Sequence, residues 1–192
     1  MAYNVLLLVY VILQFIAFLL VLVATPMEMF RQKDVSPDGS FFCYTLWGFK
    51  FNCRSLDYDV PIHEVFTNCP VLLHRFRAAQ AFAIISIFVY GAAFILGLIL
   101  LFCSPSLRMV CLALNIVGIA TLCVVWAAMA VTYNTYDGPQ CLRVNIFLKY
   151  GAGFVLFVIA WILDIINTVI LLLPCTVTDS DEDKHKQPAA GE

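Results

Sequence analysis

Four stretches of this 192-residue chain match the hydrocarbon core of a bilayer in length and apolarity, a combination that a water-soluble fold does not accommodate. Val5–Ala24 holds no charge, nor do Ala78–Leu107 and Met109–Tyr136, and Tyr150–Thr178 holds a single one, Asp164. A spanning helix needs about 20 apolar residues, and every run reaches that length. Inside lipid the backbone must satisfy its own hydrogen bonds, so each run is expected to be a helix. With 62% hydrophobic and 12% charged residues, the chain has too little polar surface for water. The expected helices cover about 5–24, 78–102, 109–132 and 146–173, with loops at 25–77 and 133–145. Residues 1–178 thus form one membrane domain, followed by a polar tail, 179–192, expected to be disordered. The short connection Cys103–Arg108 makes the second and third helices antiparallel neighbours. Leu22-Val23-Ala24 has the form of a signal cleavage site. The run before it is too long for a signal h-region, and no Lys or Arg precedes it, so an uncleaved anchor is the expectation.

Even span number puts both termini on one side and the two larger loops on the other. Two rules then disagree about which side is which. The loops carry Arg31, Lys33, Lys50, Arg54, Arg75, Arg77 and Arg143, with Lys149 just inside the fourth run, against Arg108, Lys184 and Lys186 opposite. The positive-inside rule would place such loops in the cytoplasm. The loops also hold Cys43, Cys53, Cys69 and Cys141, an even set that suits an oxidising compartment. The cysteines are given the greater weight, which places the termini in the cytoplasm.

Within the first loop, Cys43-Tyr44-Thr45-Leu46-Trp47-Gly48-Phe49-Lys50-Phe51-Asn52-Cys53 reads as an oxidised hairpin centred on Gly48. Directly opposed residues on antiparallel strands have Cα atoms about 4.5–5.5 Å apart, a spacing a disulfide accepts. Alternation would put Cys43, Thr45 and Trp47 on one face, with Tyr44 and Leu46 on the other. Four loop cysteines allow three pairings. Spacing favours Cys43 with Cys53, which leaves Cys69 and Cys141 either to join the two loops or to stay unpaired.

This run resembles the signature of the amastins, small four-span surface proteins of parasitic protozoa. Cys43, Tyr44, Thr45, Leu46, Trp47, Gly48, Lys50, Asn52 and Cys53 occupy its constrained places, and the four-span layout extends the likeness along most of the chain. A looser resemblance is to the claudins, with a first-loop sheet, a cysteine pair and a basic residue before the second helix, here Arg77. Trp47 lies between the two cysteines rather than before them, so details of that sheet do not carry over. Both resemblances imply an all-α, claudin-like four-helix transmembrane bundle with a small disulfide-stabilised extracellular β-sheet. They also imply cytoplasmic termini at the plasma membrane and a role in surface contact rather than catalysis. Amastins are described as glycoproteins, yet no Asn here has Ser or Thr two positions on, so N-glycosylation is not expected.

Asp164 is the one charge within a span, and intramembrane charges are functional candidates by default. Trp161, Asp164, Asn167 and Thr168 share one helical face by spacing. Gln14 and Asn115 fall at comparable depth, so Gln14, Asn115, Asp164 and Asn167 are expected to form one polar layer. Hydrogen bonding that locks the bundle is the favoured reading, and a proton or ion relay the other. Small residues at helical spacing, Ala93 with Gly97 and Gly151 with Gly153, point to close helix packing. His63, His74 and His185 are too scattered for a metal site, and no cofactor is expected. No nucleophile–base arrangement or phosphate loop appears, so the chain is not expected to be an enzyme. Cys103 and Cys175 at the membrane edge are candidates for palmitoylation, and Thr178 and Ser180 precede acids as acidophilic kinases prefer.

The functional expectation is contact or adhesion through the first loop. The partners would be copies of the chain or a lipid or protein of a facing membrane, with the bilayer as solvent and no nucleic acid. Trp47 and Phe49, with Leu46 beside them, are the expected contact residues, since aromatics anchor interfaces. Phe41 and Phe42 suit the sheet's own core equally well. The alternative is a transporter or channel subunit built on the Asp164 layer.

Overall fold

The computed structural model describes residues 5–33, 41–55, 57–102, 107–139, 141 and 143–173. Cys103, Cys175, Thr178, Ser180 and the 179–192 tail lie outside the described residues.

Helices α1 (Val5–Ala24), α3 (Pro70–Phe102), α4 (Leu107–Asn134) and α6 (Ala152–Leu172) are each long and apolar enough to cross a membrane. They pack as a ring in which α1 meets α3, α3 meets α4, α4 meets α6, and α6 returns to α1. Their outward faces stay apolar: Phe88 is 73% exposed and Met109 72%, the inverse of a soluble surface and what lipid as solvent requires.

Above one end of the ring sits a small antiparallel sheet of β1 (Glu28–Gln32), β2 (Cys43–Thr45), β3 (Gly48–Lys50), β4 (Val60–Pro61) and β5 (Leu148–Tyr150). Its order is β4-β3-β2-β1-β5, with one-turn helices α2 (Ile62–Val65) and α5 (Val144–Phe147) beside it. The two parts share one core. Met29, Phe30, Leu46 and Phe66 of the cap are continuous with Ala79, Leu122 and Phe157 of the bundle.

Two element boundaries differ from the sequence expectation. The second membrane helix starts at Pro70, not near Ala78. Proline suits a first helical turn, and α3, 33 residues and so about 50 Å long, outruns the hydrocarbon and rises into the cap. Its raised turns bury Leu72 and Phe76 while leaving His74 and Arg77 exposed, which is why charges there do not end it. The fourth helix starts at Ala152 rather than near Ile146, because Leu148–Tyr150 is drawn into the sheet as β5, paired with β1. Gly151 makes that junction. Its N–H donates to the Met29 carbonyl at 2.8 Å, and a Cβ there would lie 2.3 Å from the Glu28 carbonyl oxygen.

The hairpin register also differs. Cys43 pairs with Lys50 and Tyr44 with Phe49, so the turn falls at Leu46-Trp47 rather than at Gly48. The Thr45 hydroxyl sets it, accepting from the N–H groups of Trp47 (3.1 Å) and Gly48 (3.0 Å) and donating to the Gly48 carbonyl (2.9 Å). Side-chain hydroxyls mimic a backbone turn in this way. Cys53 therefore lies beyond β3, its N–H on the Phe41 carbonyl, and Cys43 and Cys53 are thiols rather than a disulfide. The bonded pair is Cys69–Cys141, with Cα atoms 5.4 Å apart, which joins the foot of α3 to the loop after α4.

Candidate functional site

The signature hairpin points its tip into the bundle, not away from it. Leu46 is fully buried, and its carbonyl accepts from Gln80 Nε2 of α3 at 2.6 Å. Trp47 is half-buried and donates its indole N–H to the Thr25 carbonyl, just past the end of α1, at 3.1 Å. Both residues were expected at a contact surface. The structure instead makes them the plug that seats the sheet on α1 and α3, because the tight Thr45 turn aims the tip at the membrane. The other signature positions are structural as well. Lys50 is 7% exposed, donates to the Ser55 carbonyl at 2.9 Å and lies 4.6 Å from the Tyr58 ring. Asn52 accepts from the Arg54 N–H at 3.0 Å.

What reaches the surface is the opposite end of the hairpin. An aromatic ladder runs outward from buried Phe76 through Phe66, Tyr44 and Phe49 to Phe51, with successive ring centroids 5.2, 5.9, 4.9 and 4.8 Å apart. Phe49 is a half-buried rung, and Phe42 packs beside it at 5.7 Å. The last rung, Phe51, is 64% exposed, and Tyr58 nearby is 41% exposed. Distance from the turn does not reveal Phe51, because the outer end of a short hairpin is set by how its tip docks.

Behind the hairpin, Met27, Glu28, Cys43, Lys50, Cys53 and Tyr58 line a cavity of about 250 Å³. Cys43 and Cys53 stand side by side on its wall, and burial, then the adjacent Cys53, pushes the Cys43 thiol above its ordinary range. Such a thiol is a poor nucleophile at neutral pH, since the thiolate is the reactive form.

Inside the bundle Gln14, Asn115, Asp164 and Asn167 are buried, and all but the Asp164 carboxylate have a side-chain partner. Asn167 Nδ2 donates to Gln14 Oε1 at 2.8 Å, joining α6 to α1. The Tyr10 hydroxyl donates to Asn115 Oδ1 at 3.4 Å, joining α1 to α4. Ser86 and Thr121 bond across α3 and α4 at 3.0 Å. Trp161 donates to the Ile119 carbonyl at 3.2 Å, whereas Thr168 bonds back to the Asp164 carbonyl of its own helix at 2.9 Å. Asp164 is fully buried, and neither carboxylate oxygen has a hydrogen-bond partner of good geometry among the described residues. The Tyr90 hydroxyl of α3 is turned toward it across Gly118 of α4, where a Cβ would lie 2.8 Å from Asp164 Oδ2. Tyr10 and Tyr90 were missed as members of this layer because each counts as apolar in a hydropathy reading.

Several loop bases have protein partners. Arg75 holds Asp137 through two bonds, of 2.6 and 3.0 Å, and Arg31 lies 4.0 Å from Glu28. Among the described residues no group of three or more His, Cys, Asp or Glu is arranged to hold a metal ion.

The family model described as amastin surface glycoprotein matches residues 15–171, from within the first membrane helix almost to the end of the last. No curated protein matches the chain.

Proposed function

Since the chain belongs to the amastin surface glycoprotein family, as a membrane protein with four apolar helices, we propose that it works by contact through its sheet cap. In this reading the cap lies outside the plasma membrane, both termini are cytoplasmic, and the chain is not an enzyme. The supporting observation is the aromatic ladder that starts in the core and ends at an exposed Phe51. A 64% exposed phenylalanine on a rigid, core-anchored stack is well suited to a hot spot, because little side-chain entropy remains to be lost on binding. Phe51, Phe49 and Tyr58 form the proposed contact face, and the partner is a second copy of the chain or a component of a facing membrane.

The test is adhesion of cells displaying the full chain, with Phe51→Ser and Tyr58→Ser introduced at matched surface level. Adhesion should fall at least tenfold. Adhesion equal to wild type would remove the contact reading. Thiol labelling of intact against permeabilised cells tests the side on which the cap stands.

One observation supports a second reading, in which the buried layer passes protons or cations: the carboxylate of Asp164 lacks a partner of good geometry among the described residues. Asp164→Asn separates the two, since it should leave adhesion and surface level unchanged but abolish any proton-coupled flux.

A further inference from the structure

The edge of the sheet formed by β1 and β5 brings together like charges. Arg31 on β1 and Lys149 on β5 are direct cross-strand partners. Their neighbours Phe30 and Leu148 face the core, so both cations stand on the outer face. Directly opposed like charges on adjacent strands destabilise a sheet unless an anion lies between them. Lys33 continues β1 past Gln32; its N–H donates to the Phe147 carbonyl and its ammonium to the Asn145 carbonyl. Arg143 is exposed, with its guanidinium 4.0 Å from the Tyr136 ring centroid. Among the described residues, Glu28, with a 13% exposed side chain, lies 4.0 Å from Arg31 and offsets part of the charge of that one cation, and Asp137 is held by Arg75.

The height of this cluster identifies its surroundings. Helix α6 has 21 residues and is about 31 Å long, close to the hydrocarbon thickness, so Ala152 lies near the upper edge of the apolar slab. Lys149 precedes it by three strand-like residues, about 10 Å at most, within the headgroup layer. Between the cations, Ile146 is 50% and Phe147 57% exposed, an uncovered apolar pair just above the lipid-facing surface of α6. Aromatic and apolar groups flanked by cations at this depth fit a bilayer interface, not open water.

We propose that Lys33, Arg143 and Lys149, with Arg31 beside Lys149 and with Ile146 and Phe147 at the boundary between headgroups and acyl chains, bind the phosphate of an anionic phospholipid headgroup in the bilayer that carries the protein. The guanidinium groups match phosphate oxygens, and the apolar pair selects a lipid over a free ion. This also accounts for the loops' excess of Lys and Arg: part of it is a headgroup site, not a topology signal.

The test uses the full chain in detergent, offered equal amounts of phosphatidic acid and phosphatidylcholine, with bound lipids counted by native mass spectrometry. Wild type should retain phosphatidic acid at least tenfold over phosphatidylcholine. Each of Lys33→Gln, Arg143→Gln and Lys149→Gln should reduce the preference about fivefold. The triple variant should show none, while Lys33→Arg with Lys149→Arg keeps the preference and checks that the edge still folds. Arg54→Gln, at the far end of the sheet, should leave it intact. Ile146→Ser with Phe147→Ser should lower retention of both lipids. No preference in wild type, or full preference in the triple variant, overturns the proposal. So does displacement of the lipid by inorganic phosphate at equal concentration, which would indicate a free-anion site, or preference only for added anionic vesicles, which would indicate a facing membrane.

Discussion

The indole N–H of Trp47 donates to the Thr25 carbonyl at 3.1 Å, spanning 22 residues of sequence to bind the tip of the hairpin to the end of α1. Carbonyls at a helix C-terminus lack intrahelical partners, and near a membrane they are poorly served by water. Thr25 is itself 7% exposed, and its hydroxyl bonds back to the Val21 carbonyl at 2.8 Å. The hairpin thus supplies a donor where the first helix has an acceptor to satisfy, and the cap and bundle are coupled at that point.

Replacing Trp47 by Phe keeps most of the packing and removes only that donor. The expected loss is about 1–2 kcal/mol, the cost of a buried carbonyl left without its partner. Trp47→Ala should cost about 3–5 kcal/mol, since a large ring is deleted as well. Thermal unfolding of the full chain in detergent measures both. If Trp47 were a contact residue instead, Trp47→Phe would weaken adhesion without moving the melting temperature, and that outcome would contradict the plug.

Gly151→Ala should be among the most damaging small substitutions. The added methyl would stand 2.3 Å from the Glu28 carbonyl oxygen, backbone that cannot swing away as a side chain does. Relief requires parting β5 from β1, at about 1–3 kcal/mol or more. Hydrogen exchange at Arg31 and Lys149 should accelerate, while the amides of α4 stay protected. Unchanged exchange at the β1–β5 pair would show that the junction tolerates a side chain.

The spans were legible because lipid imposes one rule on every residue in them, and α1 runs over Val5–Ala24, the first uncharged run itself. Outside lipid that rule does not hold. The bases of Pro70–Arg77 suggest a loop, but its buried Leu72 and Phe76 stripe packs on the cap, a contact invisible before the cap is built. Leu148–Tyr150 looked like membrane helix because an apolar run does not say whether its backbone pairs with itself or with a distant strand. The hairpin register failed for a local reason: symmetry about Gly48 ignored the Thr45 hydroxyl, which closes a tighter turn. Depth counting brought Gln14 to the level of the buried layer, and Gln14 meets Asn167 there, whereas the inward aim of Trp47 depends on Thr25, and that of Leu46 on Gln80.

Cys43 and Cys53 give a prediction with a definite pH sign. Burial first, and the neighbouring Cys53 second, raise the Cys43 thiol above its ordinary value of 9.0. A group raised on folding contributes stability that is complete below its unfolded value and is lost as pH climbs toward the folded one. The cap should therefore hold through neutral pH and weaken only in the alkaline range above about 9. Maleimide at pH 7 should label half-buried Cys53 faster than buried Cys43. Counting thiols after denaturation without reductant, by mass spectrometry, checks the pairing: Cys69 and Cys141 stay blocked and Cys43 and Cys53 are modified. Protection of all four would mean that the neighbouring thiols had oxidised to a second disulfide.

The last prediction concerns two ties between the same two segments. Arg75, six residues after Cys69, grips Asp137, four residues before Cys141, in a two-bond ion pair whose side chains are 21% and 12% exposed. Removing one partner from a largely buried pair leaves a stranded charge, so Arg75→Met should cost about 2–3 kcal/mol, discounted from the fully buried case. The disulfide, whose cysteines are 72 positions apart, contributes at most about 4 kcal/mol by restricting the open chain, and less where the bilayer already holds α3 and α4. While it is closed, the loop after α4 cannot drift far from α3, and the ion pair re-forms at high effective concentration. The effect of Arg75→Met on hydrogen exchange in residues 135–139 should therefore be small in oxidised protein and several-fold larger after Cys69→Ser with Cys141→Ser. Equal increments in the two backgrounds would mean that the ties act independently, and the coupling between them would be zero.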